Sequence, residues 1–415
     1  MPSFSIPLSG LTASSAALST IANNIANLNT VGYKSMRTLF SDLFYQTIGS
    51  SGSGNPLQQG AGVTVNSMPS NFTPGSVDPS GVPTDVAISN DGFFVTQKNG
   101  ITSYTRAGNF SIDQTDDSLV TAGGDKVMGY PAVNGAISTG QGLTSLKLGQ
   151  GTISPATATT TVQIRTNLDA SAAVGSAAGS YSTPITVYDS LGASHVLTYS
   201  FTKTAANTWT YSLTIPAADV GTTGSPVSLS SGTMTFDGNG NLLTPAADVA
   251  NIAITGLADG ASNLTFKWKL YDGTTGLMTQ VASASSTSAG QQDGSGSGAL
   301  TGFSIGSDGT ITGAFSNGKH AILGQIALAT FPDEQGLLRA GDNAFNETLA
   351  SGQAVVGMPG TGGRGTLSGG ALELSNVDIA KEFASLIVAQ RGFEANARAV
   401  TTFDQITQDT INLKQ

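Results

Sequence analysis

The 415-residue sequence predicts a mixed, mainly β protein, in which nested antiparallel β domains are carried between paired N- and C-terminal coiled-coil-like α-helices. Three observations lead there. Heptad patterns stand near both ends of the chain, strictly alternating apolar residues fill its middle, and 53 glycines with only 11% charged residues make that middle rich in turns.

The first helix is expected between Ile6 and Lys34. Leu11, Leu18 and Ile25 recur every seven residues, and Ile21 and Leu28 add a second row, so one narrow stripe is apolar. Ser14 is the gap in that second row. Pro7 suits a first helical turn, and Gly32 lies where a left-handed C-terminal cap is wanted. The second helix is expected between Asn376 and Leu413, where Ile379, Leu386, Phe393 and Val400 repeat by seven, with Phe383 and Ala397 four positions after two of them. Ser375 and Asp378 have the spacing of a capping box. At about 1.5 Å per residue the two helices would reach roughly 33 Å and 55 Å. Neither can bury its stripe on itself. The spacing fits ordinary core helices or one intramolecular hairpin as well as helices awaiting other chains. Beyond Val400, Phe403, Ile406 and Ile411 leave the seven-residue register, which favours short contacts with several neighbouring helices over one long supercoil. Asn23, Asn24, Asn27 and Asn29 are poor helix formers in this setting. They mark either a fraying end or amides that hydrogen-bond across a helix–helix contact.

Between the terminal helical segments, 1–33 and 375–415, the chain divides by composition. Residues 34–70 and 358–374 read as linker, with a short amphipathic piece at Thr38–Tyr45 and a flexible glycine-serine tract at Ser50–Gly54. Residues 71–145 and 299–357 read as a first β domain: VAISNDGFFV places an Asn90-Asp91-Gly92 turn between two strands, and YTRAGNFSID suggests a further strand pair. Residues 146–298 read as a second β domain inserted into the first. Trp209, Tyr211, Leu213 and Ile215 alternate with polar residues, as do Leu264, Phe266, Trp268 and Leu270, so each strand has one buried and one wet face. Asp189-Ser190-Leu191-Gly192 is the expected turn between the neighbouring strands.

Charge and composition narrow the function. A net charge of -10 argues against nucleic acid and anionic membrane surfaces, which favour basic stripes. The absence of cysteine removes disulfides and thiolate chemistry. No charged side chain precedes Lys34 and no apolar run is long enough to span a bilayer, so a cleaved signal and membrane insertion are both disfavoured.

No motif assembles a catalytic, cofactor or metal site, and no enzyme activity is expected. Gly302-Phe303-Ser304-Ile305-Gly306 matches a nucleophile elbow by letter but has strand-like residues where the elbow needs a helix. Gly360, Gly362 and Gly365 match a phosphate-binding pattern without its strand–helix context. Asp237, Asn239 and Asn241 begin a calcium loop whose glycine is replaced by Leu242 and whose terminal glutamate is replaced by Asp248, so a hairpin turn is the better reading. His195 and His320 lack a second histidine at ligand spacing and read as strand or surface residues.

ANNIANLNTVGYK at Ala22–Lys34, and the stretch SNVDIAKEFASLIVAQRGFEANARAVTTFDQITQDTINL at Ser375–Leu413, closely resemble the terminal signatures of bacterial flagellar rod and hook proteins. DGFFVTQ from Asp91, TRAGNFSID from Thr105 and LGQIALATF after Ser316 look like the body of that family. The resemblance covers most of the chain and is weakest in the glycine-serine tract and across 170–180. TPITVYDSLGASHVLTYSF at Thr183–Phe201 is similar to the second domain of hook members, which rod members of this type generally lack. The resemblance implies an extracellular, self-assembling tubular homopolymer that acts as a flexible universal joint passing torque from rod to filament. It also implies export through the flagellar type III apparatus without signal cleavage, and rod, hook-cap and hook–filament junction proteins as partners. The assembly residues it implies are the helix positions named above: Leu11, Leu18, Ile21, Asn24, Ile25, Asn27, Leu28, Ile379, Phe383, Leu386, Phe393, Ala397 and Val400. The alternatives are a distal rod protein or, in a different class, an extracellular carbohydrate-binding or adhesion protein, which would need exposed aromatics or a carboxylate pair on the inserted domain.

Overall fold

A computed structural model describes residues 4–44, 46–133, 135–149 and 151–412. Among the described residues the chain is mainly β with two α-helices, α1 (Ser5–Ala26) and α2 (Ile379–Asn412). It forms two compact units: Met1–Gly149 with Gly302–Gly313 and Ala321–Gln415, and Gln150–Thr301 with Ala314–His320.

In the first unit, the strand Phe93–Lys98 is the centre of the β structure. It pairs antiparallel with Ile101–Thr105, Lys126–Val133 and Leu328–Thr330. Side-chain alternation along it divides the core. Phe94 packs with Val86, Ile88, Phe110, Val127 and Ile326. Phe93 and Val95 pack on the other side with Tyr104, Phe331 and Phe345.

Three sequence expectations change here. Ile101–Thr105 and Ser111–Ile112 are both strands but do not pair with each other. The reason lies between them: Arg106 is 2% exposed, and a Cβ on Gly108 would stand 1.7 Å from the Val86 carbonyl oxygen, so the chain is drawn inward instead of folding back on itself. Residues 358–374 are not linker throughout, because Thr366–Gly369 pairs with Val86–Ser89 and Ala371–Glu373 with Val77–Pro79. Within 34–70, Leu39–Asp42 pairs with Val63–Ser67 and Gln46–Ser50 with Pro56–Gln59. The glycine-serine tract closes the second of these hairpins, with Gly54 at φ 84° and its N–H donated to the Ser51 carbonyl. Glycine and serine serve a tight turn as well as a flexible linker, so composition alone does not separate them. Tyr45 in the expected amphipathic piece lies outside the described residues.

The second unit packs two five-stranded sheets around one core. One sheet runs Ser180–Tyr188, Ser194–Ala205, Thr208–Ile215, Val227–Phe236 and Leu242–Thr244, all antiparallel. The other is built on Thr161–Asp169, which pairs antiparallel with Ser286–Gln292 but parallel with Leu264–Lys269 and Met278–Val281. Trp209, Tyr211, Leu213, Ile215, Leu264, Phe266, Trp268 and Leu270 all enter the core, as their alternation predicts. Trp268 lies against Tyr199 and Tyr211 with ring centroids 4.6 and 5.2 Å apart.

Candidate assembly surface

α1 and α2 lie antiparallel. Phe4 meets Phe403 edge to face at 6.1 Å, Ser14 lies beside Gly392, and the Asn24 amide donates to Glu382 Oε1 at 3.2 Å. This is the intramolecular hairpin that the heptad spacing left open. Its seam is not the one made of the largest side chains. A Cβ on Gly10 would stand 2.7 Å from the Asn396 side chain, and a hollow of about 510 Å³ is lined by Ser14, Ala17, Ile21 and, from α2, Ser385, Val388, Ala389 and Gly392 among others. Small residues let the two backbones approach. Ser14, the gap in the heptad row, sits in this seam.

The large side chains of α2 therefore stay uncovered. Among the described residues α2 buries none. Ile379 is 46% exposed, Phe383 48%, Ile387 58% and Val388 72%, and Phe393 is exposed as well. Leu386, Ala397 and Val400 are half-buried. On α1, Ile21 and Asn24 are buried, and Leu11, Leu18 and Ile25 are half-buried. The expected site residues thus separate into two groups. Ile21 and Asn24 join the helix pair, whereas Ile379, Phe383 and Phe393 face outward.

Local chemistry sets the helix ends. Asp378 caps α2, accepting from the Ala380 and Lys381 N–H groups at 2.9 and 3.2 Å, so the cap lies three residues later than the Ser375–Asp378 spacing suggested. α1 stops at Ala26, earlier than expected, and leaves Asn27 and Leu28 beyond the helix. Asn27 turns back to the Asn23 carbonyl at 2.9 Å, the behaviour of a helix end. Gly32 does adopt a left-handed φ of 68°, but it caps nothing. Its N–H donates to the Glu373 carbonyl at 2.8 Å, and a Cβ there would stand 2.6 Å from the Ala107 nitrogen.

Asn24 is the junction between α1, α2 and the chain that follows α1. Its Oδ1 accepts from the Met36 N–H at 2.9 Å and the Tyr33 hydroxyl at 3.3 Å, and its Nδ2 donates to the Met36 carbonyl at 2.7 Å as well as to Glu382. Burial holds the Glu382 carboxyl above its usual range despite the Asn24 amide.

Beneath this junction lies a charge cluster that the sequence did not reveal. Lys34 Nζ stands 2.6 Å from Glu373 Oε1, and the two side chains are 1% and 0% exposed. Arg106 Nε stands 3.1 Å from Glu373 Oε2, in ion-pair contact at an angle that makes no hydrogen bond. Its Nη2 donates to Glu373 Oε1, and its Nη1 to the carbonyls of Asn90 and Gly92 at 2.8 and 2.6 Å. Burial, with the Arg106 charge adding to it, holds the Lys34 ammonium below the usual lysine range against the pull of Glu373. The cluster ties the exit of α1 to the entry of α2, because Asn376, three residues past Glu373, accepts from the Ser35 N–H at 2.8 Å. One signal was available: Lys34 is the first charged residue of the chain.

The remaining motifs resolve without chemistry of their own. Ser304 lies in the strand Gly298–Ile305, with no helix after it. Gly360 and Gly362 are left-handed loop residues, and Asp237 accepts from the Asn239 and Asn241 N–H groups in a hairpin turn. Among the described residues no helix is long and apolar enough to cross a membrane.

Comparison with known proteins agrees with the helix pair and the β units. Residues 6–34 match the model of the flagella basal body rod protein, and 87–167 the flagellar hook protein FlgE/F/G D1 domain. Residues 156–295 match the flagellar basal body protein FlaE D2 domain, and 368–413 the flagellar basal body rod FlgEFG protein C-terminal model. The flagellar hook protein FlgE of Escherichia coli is 36% identical, over 99% of this chain and 100% of its own length. The chain belongs to the flagellar hook protein family. The FlgE of Salmonella typhimurium is 37% identical over 99% of this chain and 100% of its own, and that of Borreliella burgdorferi 33% over 98% of each. The crystal structure of Helicobacter pylori flagellar hook protein FlgE2 superposes with a TM-score of 0.48 at 16% identity, over 70% of this chain and 98% of that one. A hook subunit is a structural protein, and the rod and carbohydrate-binding alternatives are not favoured.

Proposed function

We propose that this hook subunit polymerises into a flexible tube through α1 and α2, and that the tube passes torque from the rod to the filament outside the cell. The observation that carries this reading is the uncovered apolar stripe of α2. An amphipathic helix normally hides such side chains, and hiding a large apolar side chain is worth about 1.5–3 kcal/mol. α2 turns its small residues to α1 and leaves Ile379, Phe383, Ile387 and Phe393 exposed. Other copies of the same helix pair are the covering surface the family's function calls for. On this reading the exposed residues are the assembly residues of the polymer, and Ile21 and Asn24 set the subunit's own hairpin. Export through the flagellar type III apparatus, and contacts with rod, hook-cap and hook–filament junction proteins, belong to the same proposal through family membership.

The test is electron microscopy of concentrated full-length protein beside the variant Phe383→Glu. The wild type is expected to form tubes. The variant should stay dispersed with unchanged unfolding of the monomer, since an exposed substitution shifts stability by no more than about 0.5 kcal/mol. Tubes from the variant at wild-type concentration would defeat the assignment of the stripe.

A further inference from the structure

In the second unit, three separate segments bring one histidine and three aspartates together. Asp189 follows the strand Ser180–Tyr188, His195 is the second residue of Ser194–Ala205, Asp219 sits in the short turn Ala217–Val220, and Asp259 lies between Val249–Ile254 and Leu264–Lys269. His195 Nε2 stands 3.1 Å from Asp189 Oδ2 and 4.0 Å from Asp259 Oδ2, and a ligand atom from each of the three lies within 4.8 Å of the others. Ligands held about 2.0–2.1 Å from a tetrahedral ion stand roughly 3.3 Å apart, close to this spacing.

The orientation of each group is fixed from behind. Asp189 Oδ1 accepts from the N–H groups of Leu191 and Ala193 at 2.8 and 2.9 Å, which leaves Oδ2 for the cluster. Asp259 Oδ1 accepts from the Ala261 N–H at 3.0 Å and likewise leaves Oδ2. Asp219 Oδ2 lies 3.2 Å from His195 Nδ1, and the Asp219 carbonyl accepts from the Ala258 N–H at 2.9 Å. With Nδ1 donating to the Asp219 carboxylate, Nε2 would be free to coordinate an ion between Asp189 and Asp259, the arrangement usual for a metal-binding histidine.

We propose that His195 Nε2, Asp189 Oδ2 and Asp259 Oδ2 bind a first-row divalent cation of the zinc type, with Asp219 as the positioning residue for the imidazole. Imidazole with two carboxylates suits such ions, and three protein donors leave a coordination position for water. Asp189 is fully buried. Bound there, the ion would join the loops at this end of the second unit.

The competing arrangement is a protonated His195 bridging Asp189 and Asp219 with no metal. Titration of EDTA-treated, untagged full-length protein with ZnCl2 separates the two. With two histidines and no cysteine in the chain, background binding is low. One saturable site is expected, weaker at pH 5.5 than at pH 7.5 because the proton competes for Nε2. Asp219→Asn should weaken it about 10- to 100-fold. Asp259 is 31% exposed, so Asp259→Asn should fold normally and weaken binding at least about 10-fold. CaCl2 at the same concentration should not displace the zinc, because a hard cation prefers oxygen alone. No saturation below millimolar zinc, equal binding by Asp259→Asn, or displacement by calcium would each overturn the site.

Discussion

At the scale of the residue, Glu373 does the most with one side chain. It is fully buried and faces two buried cations, Lys34 and Arg106. A buried pair is weak evidence for net stabilisation, but removing one partner strands the other charge in a poor solvent. Glu373→Gln would strand two. Its urea unfolding at neutral pH should show a loss of about 3–5 kcal/mol, carried by the first unit, with the tryptophan signal of the second unit unchanged. A loss under about 1 kcal/mol would mean that water reaches the cluster and screens it. Arg106 and Glu373 could not be recognised as partners from the sequence, because 267 residues separate them and neither belongs to a local pattern.

At the scale of the element, α2 is a helix whose single-chain contacts are small. It has no buried residue, whereas the strand Thr208–Ile215 buries every second one. Opening free energy follows such packing. Amide protons of Leu386–Val400 in the unassembled subunit should therefore exchange orders of magnitude faster than those of Thr208–Ile215, and approach the strand's protection only in the polymer. Slow exchange of α2 in the monomer would show that the small-residue seam suffices by itself. The strands and helices themselves were legible because alternation and heptads are local signals: Trp209 to Ile215 and Leu264 to Leu270 enter the core as their alternation predicts, and both helices form, although α1 ends at Ala26, short of Leu28 in its heptad row. What was not legible is which face of α2 meets α1. A heptad count weighs large apolar residues, while this contact selects Gly392, Ala389 and Ser385 for their small size. The cluster at His195 escaped for a different reason, because its four members lie on three segments and only the fold brings them together.

At the scale of the whole molecule, the second unit has a core of its own, built from residues between Val162 and Met278, and the first unit's clusters share none of them. Replacing 150–301 by a short glycine-serine join should leave α1, α2 and the first core folded, and the turn at Phe315–Lys319 is closed by its own backbone hydrogen bond. Tubes are expected to form with altered curvature and bending stiffness, read from their contours in micrographs. Failure to assemble, or tubes of unchanged shape and stiffness, would show that the second unit has a different part in the polymer. The antiparallel hairpin also carries a kinetic consequence. Asn24 and Glu382 are 358 residues apart, so α1 cannot find α2 cheaply in an unfolded chain. Once the β strands pair and Lys34 reaches Glu373, the bases of both helices are neighbours and only a short loop remains to be closed. The hairpin should thus be the last part of the subunit to form. In stopped-flow refolding, the burial of Trp209 and Trp268 should precede the final gain of helical signal, and Glu373→Gln should slow only the later phase. A subunit that matures in this order carries no helix pair ready for polymerisation until its β units are complete, and half-folded chains are thereby kept out of the growing tube.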